Sequence, residues 1–65
     1  MMYLRQNSKL EGIEIVGKGS KGDWFGKWRG VIIFIRGKEK LERGQKVNLR
    51  VTAVESTCAT AEVIE

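Results

Sequence analysis

A short segment of the chain interleaves aromatic rings with cations: Lys21, Trp24, Phe25, Lys27, Trp28 and Arg29. Rings beside cations suit single-stranded nucleic acid, because bases stack on the rings while the cations hold phosphates. In an extended strand Trp24 and Trp28 share one face, and Gly26 between them predicts a bulge that turns one ring inward and the other outward. The alternative interpretation is that both indoles fill the core of a small barrel.

A glycine-rich segment at residues 17–22 matches the pattern Gly-x-Gly-x-x-Gly. Nucleotide binding would require a helix to begin at the last glycine, whereas Trp24 and Phe25 are typical of a strand. A phosphate-binding loop would also need a lysine where Asp23 stands. We therefore interpret the segment as a flexible basic loop whose Lys18 and Lys21 can contact phosphates, and we predict no cofactor.

Cys58 is the single cysteine, and the chain contains no histidine. No neighbouring base is present to activate the thiol, and the small-residue strand that follows favours a buried structural cysteine. The acidic residues form no clear catalytic pair, and without histidine the common metal sites are excluded. These residues predict a binding protein without metal, rather than an enzyme.

The 65-residue length allows one small domain, and 42% apolar residues are enough to fold it. Residues 1–50 hold 12 bases and 5 acids (12 − 5 = +7), and residues 51–65 hold 3 acids, which gives +4 in total. A basic surface indicates a polyanion such as nucleic acid, although a mixed surface tuned for solubility is the alternative. The longest apolar run, residues 31–35, is too short to span a bilayer, and the N-terminus has no secretory signature. We therefore expect a cytoplasmic protein with no membrane partner.

Alternating apolar and polar residues predict five strands, at residues 10–16, 24–28, 31–35, 45–54 and 59–64. The continuously apolar strand at 31–35 is predicted to be buried on both faces. Arg29-Gly30 is typical of a tight turn, and the charged connection 36–44 has room for one helical turn with Leu41 reaching the core. Residues 1–9 form an N-terminal segment expected to fray, and residues 10–65 form one barrel domain.

Four sequence blocks, in this order, resemble the TRAM domain family: Gly22-Asp23 with Lys27, Gly30–Gly37, Gly44–Val54 and Ala59–Ile64. The last block is similar to the family's closing Ala-x-Ala-Glu-Val-Val strand. Several positions depart from the family pattern. Trp24-Phe25-Gly26 stands where Gly-Ile-Ala is usual, Arg36 replaces a proline, and aromatic residues are replaced by Val31 and Thr60.

The resemblance implies an all-β fold, a small five-stranded antiparallel barrel that is OB-fold-like and binds RNA. The chain is similar to stand-alone archaeal members, which behave as RNA chaperones. The resemblance leaves open whether the RNA is tRNA, rRNA or mRNA, whether DNA also binds, and whether an RNA-modifying enzyme acts with the protein in trans. The alternatives are a protein-interaction module with an SH3-like barrel and a non-specific DNA-binding protein.

By resemblance, Phe34 and Lys27 are the positions expected to contact RNA, and Trp24 and Trp28 are predicted to replace the missing rings. In all, the predicted RNA-binding residues are Lys18, Lys21, Trp24, Lys27, Trp28, Arg29, Phe34, Arg36 and Arg50. The rings would stack on bases and the cations would hold phosphates.

Overall fold

The computed structural model of the chain describes residues 4–37 and 40–64. Within these ranges it contains β1 (Lys9–Lys18), β2 (Trp24–Trp28), β3 (Val31–Arg36), β4 (Lys46–Val54) and β5 (Cys58–Val63). The strands close into a barrel in the order β1-β2-β3-β5-β4. None of the described residues is helical. The predicted all-β, OB-fold-like barrel is confirmed, and each predicted strand is present with ends shifted by at most two residues.

The strand directions are mixed, because β3 and β5 run parallel while the other four neighbouring pairs are antiparallel. The expectation of an antiparallel barrel is therefore wrong for this one pair. The reason is topological. Around a closed ring, strand direction can alternate without interruption only if the number of strands is even, so a five-stranded barrel must contain a parallel pair.

The N-terminal segment is attached to the barrel from Leu4 onward. Leu4 is buried in the core, and the N–H of Asn7 donates to the carbonyl oxygen of Val51 at 2.7 Å. The N–H of Val51 in turn donates to the carbonyl oxygen of Ser8 at 2.8 Å. The N-terminal segment, which was expected to fray, is therefore hydrogen-bonded to β4 at these residues. Residues 1–3 lie outside the described part of the chain.

The barrel interior is filled by aliphatic side chains at alternate positions of the strands. The buried set is Leu4, Leu10, Ile13, Ile15, Ile33, Ile35, Leu41, Val47, Leu49, Val51, Ala59 and Ala61. This alternation follows from the pleat, which points successive side chains to opposite sides of the sheet. Leu41 reaches the core as predicted. Residues 40–44 are not helical, and positions 38 and 39 of the predicted helical turn lie outside the described residues.

Gly26 on β2 lies directly against the backbone of β1. A Cβ atom at this position would lie 2.6 Å from the carbonyl oxygen of Glu14, a distance that side chains do not tolerate. The predicted bulge at Gly26 is wrong, because β2 pairs with β3 without interruption from Trp24 to Trp28. The irregularity lies in β1 instead, between Ile15 and Gly17. Both tryptophans consequently share the inner face with Gly26.

The β2–β3 connection is a two-residue hairpin turn at Arg29-Gly30, as predicted. Both residues have positive φ, 49° and 83°, which is typical of a type I′ turn. This turn matches the right-handed twist of the flanking strands, so it sets the register that pairs Trp28 with Val31. The same register then determines which residues of β2 and β3 stand beside each other on the outside of the barrel.

Candidate nucleic-acid interface

Strand β3 presents one apolar side to the core and another to solvent. Ile33 and Ile35 are buried, whereas Ile32 is 37% exposed and Phe34 is half-buried. The prediction that both faces of this strand are buried is therefore wrong. The OB-like barrel has a single core, so only one side of a strand can face it. The outward side of β3 is an apolar surface without a covering element among the described residues.

The outward residues of three adjacent strands form one surface, here called the aromatic face: Phe25, Lys27, Ile32, Phe34, Arg36 and Thr60. Phe34 on β3 lies between its register partners Phe25 on β2 and Thr60 on β5. Opposed residues of neighbouring strands have Cβ atoms about 5 Å apart, so the two phenyl rings are direct neighbours. The face thus combines two rings with cations on the same side of the sheet.

Phe25 is the residue of this surface that the sequence interpretation missed. Its ring lies against Gly17 of β1, since a Cβ atom at Gly17 would lie only 3.2 Å from the Phe25 Cζ. Glycine at this position therefore leaves the space that the ring occupies. The signal was available in the alternation, because Phe25 shares its side of β2 with the exposed Lys27. What the alternation left open was which side of β2 faces the core.

Trp24 and Trp28 are half-buried and pack against the hydrophobic core. Each indole is also covered by a cation. The Lys18 Nζ lies 5.2 Å from the ring centroid of Trp24, and the Arg29 Cζ lies 5.2 Å from that of Trp28. Such contacts are cation–π interactions. The geometry gives both indoles packing partners within the barrel, and their role in stacking on RNA stays a prediction.

A cleft of about 370 Å³ opens between the β1–β2 loop and the aromatic face. Its lining residues are Gly19, Ser20, Lys21, Asp23, Phe34, Arg36 and Thr60. The loop is held in shape by its own backbone, because the N–H of Gly19 donates to the carbonyl oxygen of Asp23 at 2.7 Å. Three of the predicted binding residues, Lys21, Phe34 and Arg36, are brought together here.

Arg50 lies on β4 directly opposite its register partner Glu62 on β5, with which it forms an ion pair. Its guanidinium donates to the Glu62 carboxylate at 2.6 Å and 3.2 Å. Both side chains are substantially exposed, so the pair contributes little to folding stability. In the free protein the positive charge of Arg50, which is predicted to contact phosphate, is therefore neutralised by a carboxylate. Lys27 and Arg36, by contrast, form no ion pair with a described residue.

Cys58 is partly exposed rather than buried as predicted, and its Sγ lies 3.9 Å from the Glu55 Oε1. Among residues 4–37 and 40–64, no group of three or more His, Cys, Asp or Glu side chains is placed to hold a metal ion. A search of the same residues finds no helix with the length and apolar character needed to cross a bilayer.

These features define a class of protein, the small OB-fold-type barrel with an open outer face that carries rings and cations. The family comparison makes the class specific, because the TRAM domain matches residues 7–64, and the chain belongs to the TRAM domain family. A conserved protein of Methanococcus maripaludis, whose structure was determined in solution, is similar at 27% identity with a TM-score of 0.78. The match covers 95% of this chain and 83% of that one. Comparison with curated protein sequences finds no match.

The TRAM domain is in general a nucleic-acid-binding domain that binds RNA, and its role is binding rather than catalysis. This agrees with the surface described above, in which rings and cations lie together. The family thus supports nucleic acid as the partner.

We expect the affinity for single-stranded RNA to fall with salt. If the basic side chains on and around the aromatic face and its cleft engage about three or four phosphates, the plot of log affinity against log salt should have a slope of about −2 to −3. Fluorescence anisotropy with a labelled oligonucleotide at several salt concentrations measures the slope. A slope near zero would contradict phosphate binding and would favour a protein-interaction module.

Proposed function

We propose that the protein is an RNA chaperone that acts stoichiometrically, binding unpaired RNA segments and so opposing misfolded secondary structure. The observation that carries this proposal is the position of Phe34, which faces outward beside Phe25 on a surface bordered by cations. Membership of the TRAM family supports RNA as the ligand.

The rings of the aromatic face account for the preference for unpaired RNA. Base–aromatic stacking is tolerant of sequence, because every base has a flat π-face. In a duplex those faces are covered by the neighbouring base pairs, so a ring on an open protein surface can stack only on bases that have left the helix. Phe34 and Phe25 would therefore distinguish unpaired from paired segments without reading the sequence.

The cations would hold the RNA backbone around these rings. Lys27 lies on the aromatic face beside Ile32, and Lys21 lines the cleft. Lys18 and Arg29 lie over the two indoles at opposite ends of β2, so Trp24 and Trp28 would act by positioning these cations as well as by packing. Arg50 would join the set only after exchanging Glu62 for a phosphate.

Binding to open RNA shifts the folding equilibrium of that RNA by mass action. A ligand present at about 100 times its Kd stabilises the state it binds by about 2.7 kcal/mol. This amount of binding free energy is enough to open a marginally stable misfolded hairpin without nucleotide hydrolysis. Action in the cytoplasm stays a prediction.

A hairpin RNA labelled with a fluorophore and a quencher at its two ends tests the chaperone proposal. We expect excess protein to lower the melting temperature of the hairpin, because the protein binds the open strand. Phe34→Ala should lose this effect, whereas the matched control Ile32→Ala, which removes an exposed aliphatic side chain from the same face, should retain it.

Each of the other outcomes contradicts a different part of the proposal. A rise in the melting temperature would show preference for the duplex. Tight binding to single strands without hairpin opening would leave an RNA-binding protein that is not a chaperone. Equal binding to duplex DNA of any sequence would favour the non-specific DNA-binding alternative.

A further inference from the structure

The cleft beside Phe34 is lined by two side chains of opposite charge, Asp23 and Arg36. The register that pairs Trp24 with Ile35, extended by one residue, places Asp23 across from Arg36. Both residues line the cleft with Phe34. A carboxylate and a guanidinium therefore stand at one end of a surface on which a flat ring can lie.

The carboxylate of Asp23 is available to a ligand. The backbone carbonyl of Asp23 accepts a hydrogen bond from Gly19, which holds the loop, but its carboxylate makes no hydrogen bond or ion pair with any residue in 4–37 or 40–64. The loop conformation thus depends on the main chain of Asp23, and the charge is left at the mouth of the cleft. An acidic group facing a site for a polyanion needs a specific partner to offset its repulsion of phosphate.

The guanidinium of Arg36 is also available to a ligand. Its register partner on β5 is Glu62, yet the Glu62 carboxylate is engaged by Arg50 at 2.6 Å. Within the described residues, Arg36 and Asp23 also make no ion pair with each other. The cleft therefore offers two hydrogen-bond acceptors on the carboxylate and a planar set of donors on the guanidinium, side by side.

We propose that this cleft is a guanosine subsite for single-stranded RNA, an inference that rests on the proposed RNA binding. Guanine stacks on Phe34, its N1–H and N2 amino group donate to the two oxygens of Asp23, and its O6 and N7 accept from Arg36. Guanine is the base that presents two adjacent donors next to two acceptors, and arginine bound to O6 and N7 is a common specific contact. The cleft volume of about 370 Å³ lies within the range of roughly 300–1,000 Å³ found for small-ligand sites.

The other bases fit these groups less well. Adenine would place its N1 lone pair, and cytosine its N3 lone pair, beside the Asp23 carboxylate, which repels them. Uracil has one N–H between two carbonyl oxygens and so cannot engage both carboxylate oxygens. Any of the bases can stack on Phe34, so the selectivity depends on Asp23 rather than on the ring.

Oligouridine nonamers that differ only in the central nucleotide test the proposal. With guanosine, inosine or adenosine at that position, we expect the guanosine nonamer to bind about 10-fold more tightly than the adenosine one. The inosine nonamer, which lacks the N2 amino group, should lie between them. The affinities are measured by fluorescence anisotropy at one fixed salt concentration.

Asp23→Asn is expected to change the affinities for the guanosine and adenosine nonamers in opposite directions. The neutral amide removes one acceptor and the negative charge, so affinity for the guanosine nonamer should fall while affinity for the adenosine nonamer should rise. A purely structural or purely electrostatic role of Asp23 would move both affinities in the same direction. Glu14→Gln removes a carboxylate that does not line the cleft and is the matched control, with the order of nonamers expected to be unchanged.

The outcomes separate this inference from the proposed function. If none of the nonamers binds, RNA binding itself is overturned. If all three bind equally well to the unmodified protein, or if Asp23→Asn keeps the guanosine preference, the guanosine subsite is overturned while RNA binding stands.

Discussion

Phe34→Ala is expected to weaken binding of single-stranded RNA by about 5- to 150-fold, the loss that follows from removing one stacking platform. The ring points outward between Phe25 and Thr60 and contributes no volume to the barrel interior, so the variant should fold. The truncation removes no charge, and the slope of log affinity against log salt should therefore remain that of the unmodified protein. Anisotropy titrations at several salt concentrations measure both quantities.

Two further substitutions make the result specific to the ring. Phe34→Tyr keeps an aromatic platform and should retain most of the affinity. Ile32→Ala removes an exposed aliphatic side chain from the same side of the same strand and should change the affinity by less than about threefold. If Phe34→Ala binds as tightly as the unmodified protein, the platform lies elsewhere, and Phe25 is the next ring on this face.

Trp28→Ala is expected to act mainly on folding. Truncation of a buried aromatic residue costs about 3–5 kcal/mol, and for this half-buried ring we expect about 2–3 kcal/mol. A domain of this size has a free energy of unfolding of about 3–10 kcal/mol, so the loss is a large fraction of the total. The melting temperature followed by circular dichroism should fall by about 8–20 °C.

The comparison with binding decides between packing and stacking. At a temperature where Trp28→Ala is still folded, its affinity for RNA should fall much less than that of Phe34→Ala. Trp28→Phe retains most of the packing volume and should recover much of the lost stability. An unchanged melting temperature with a large loss of RNA affinity would instead assign the indole to the binding surface, as the aromatic and basic interleaving first indicated.

The positions of the strands were predictable because each carries a local periodic pattern. In β4, for example, Val47, Leu49 and Val51 alternate with polar residues, and this alternation is a property of a single strand. The turn at Arg29-Gly30 was predictable for the same reason, since a two-residue connection with positive φ favours glycine locally. Neither inference requires knowledge of a distant partner.

The side of β2 that faces the core was not predictable in this way. Trp24 and Trp28 on one side and Phe25 on the other are all apolar, so the pattern has two possible orientations. The approach of β1 decides between them, because its backbone at Glu14 leaves room only for Gly26 and thereby turns the tryptophan side inward. The outward position of Phe34 has a similar origin, since Ile33 and Ile35 are the residues that the single core accommodates.

The five strands, the all-β barrel and the basic character of the chain follow from local patterns in the amino-acid sequence. The resemblance to the TRAM family is what singled out Phe34 and Lys27 as positions expected to contact RNA. Only the folded chain shows which rings lie outside the barrel and that Phe25 stands beside Phe34. The fold also brings Asp23 and Arg36 into one cleft and pairs Arg50 with Glu62. The physical reason is the range of the interactions. Strand alternation and turns are encoded by neighbours in sequence, whereas a shared face or an ion pair depends on the register between strands that are distant in the chain.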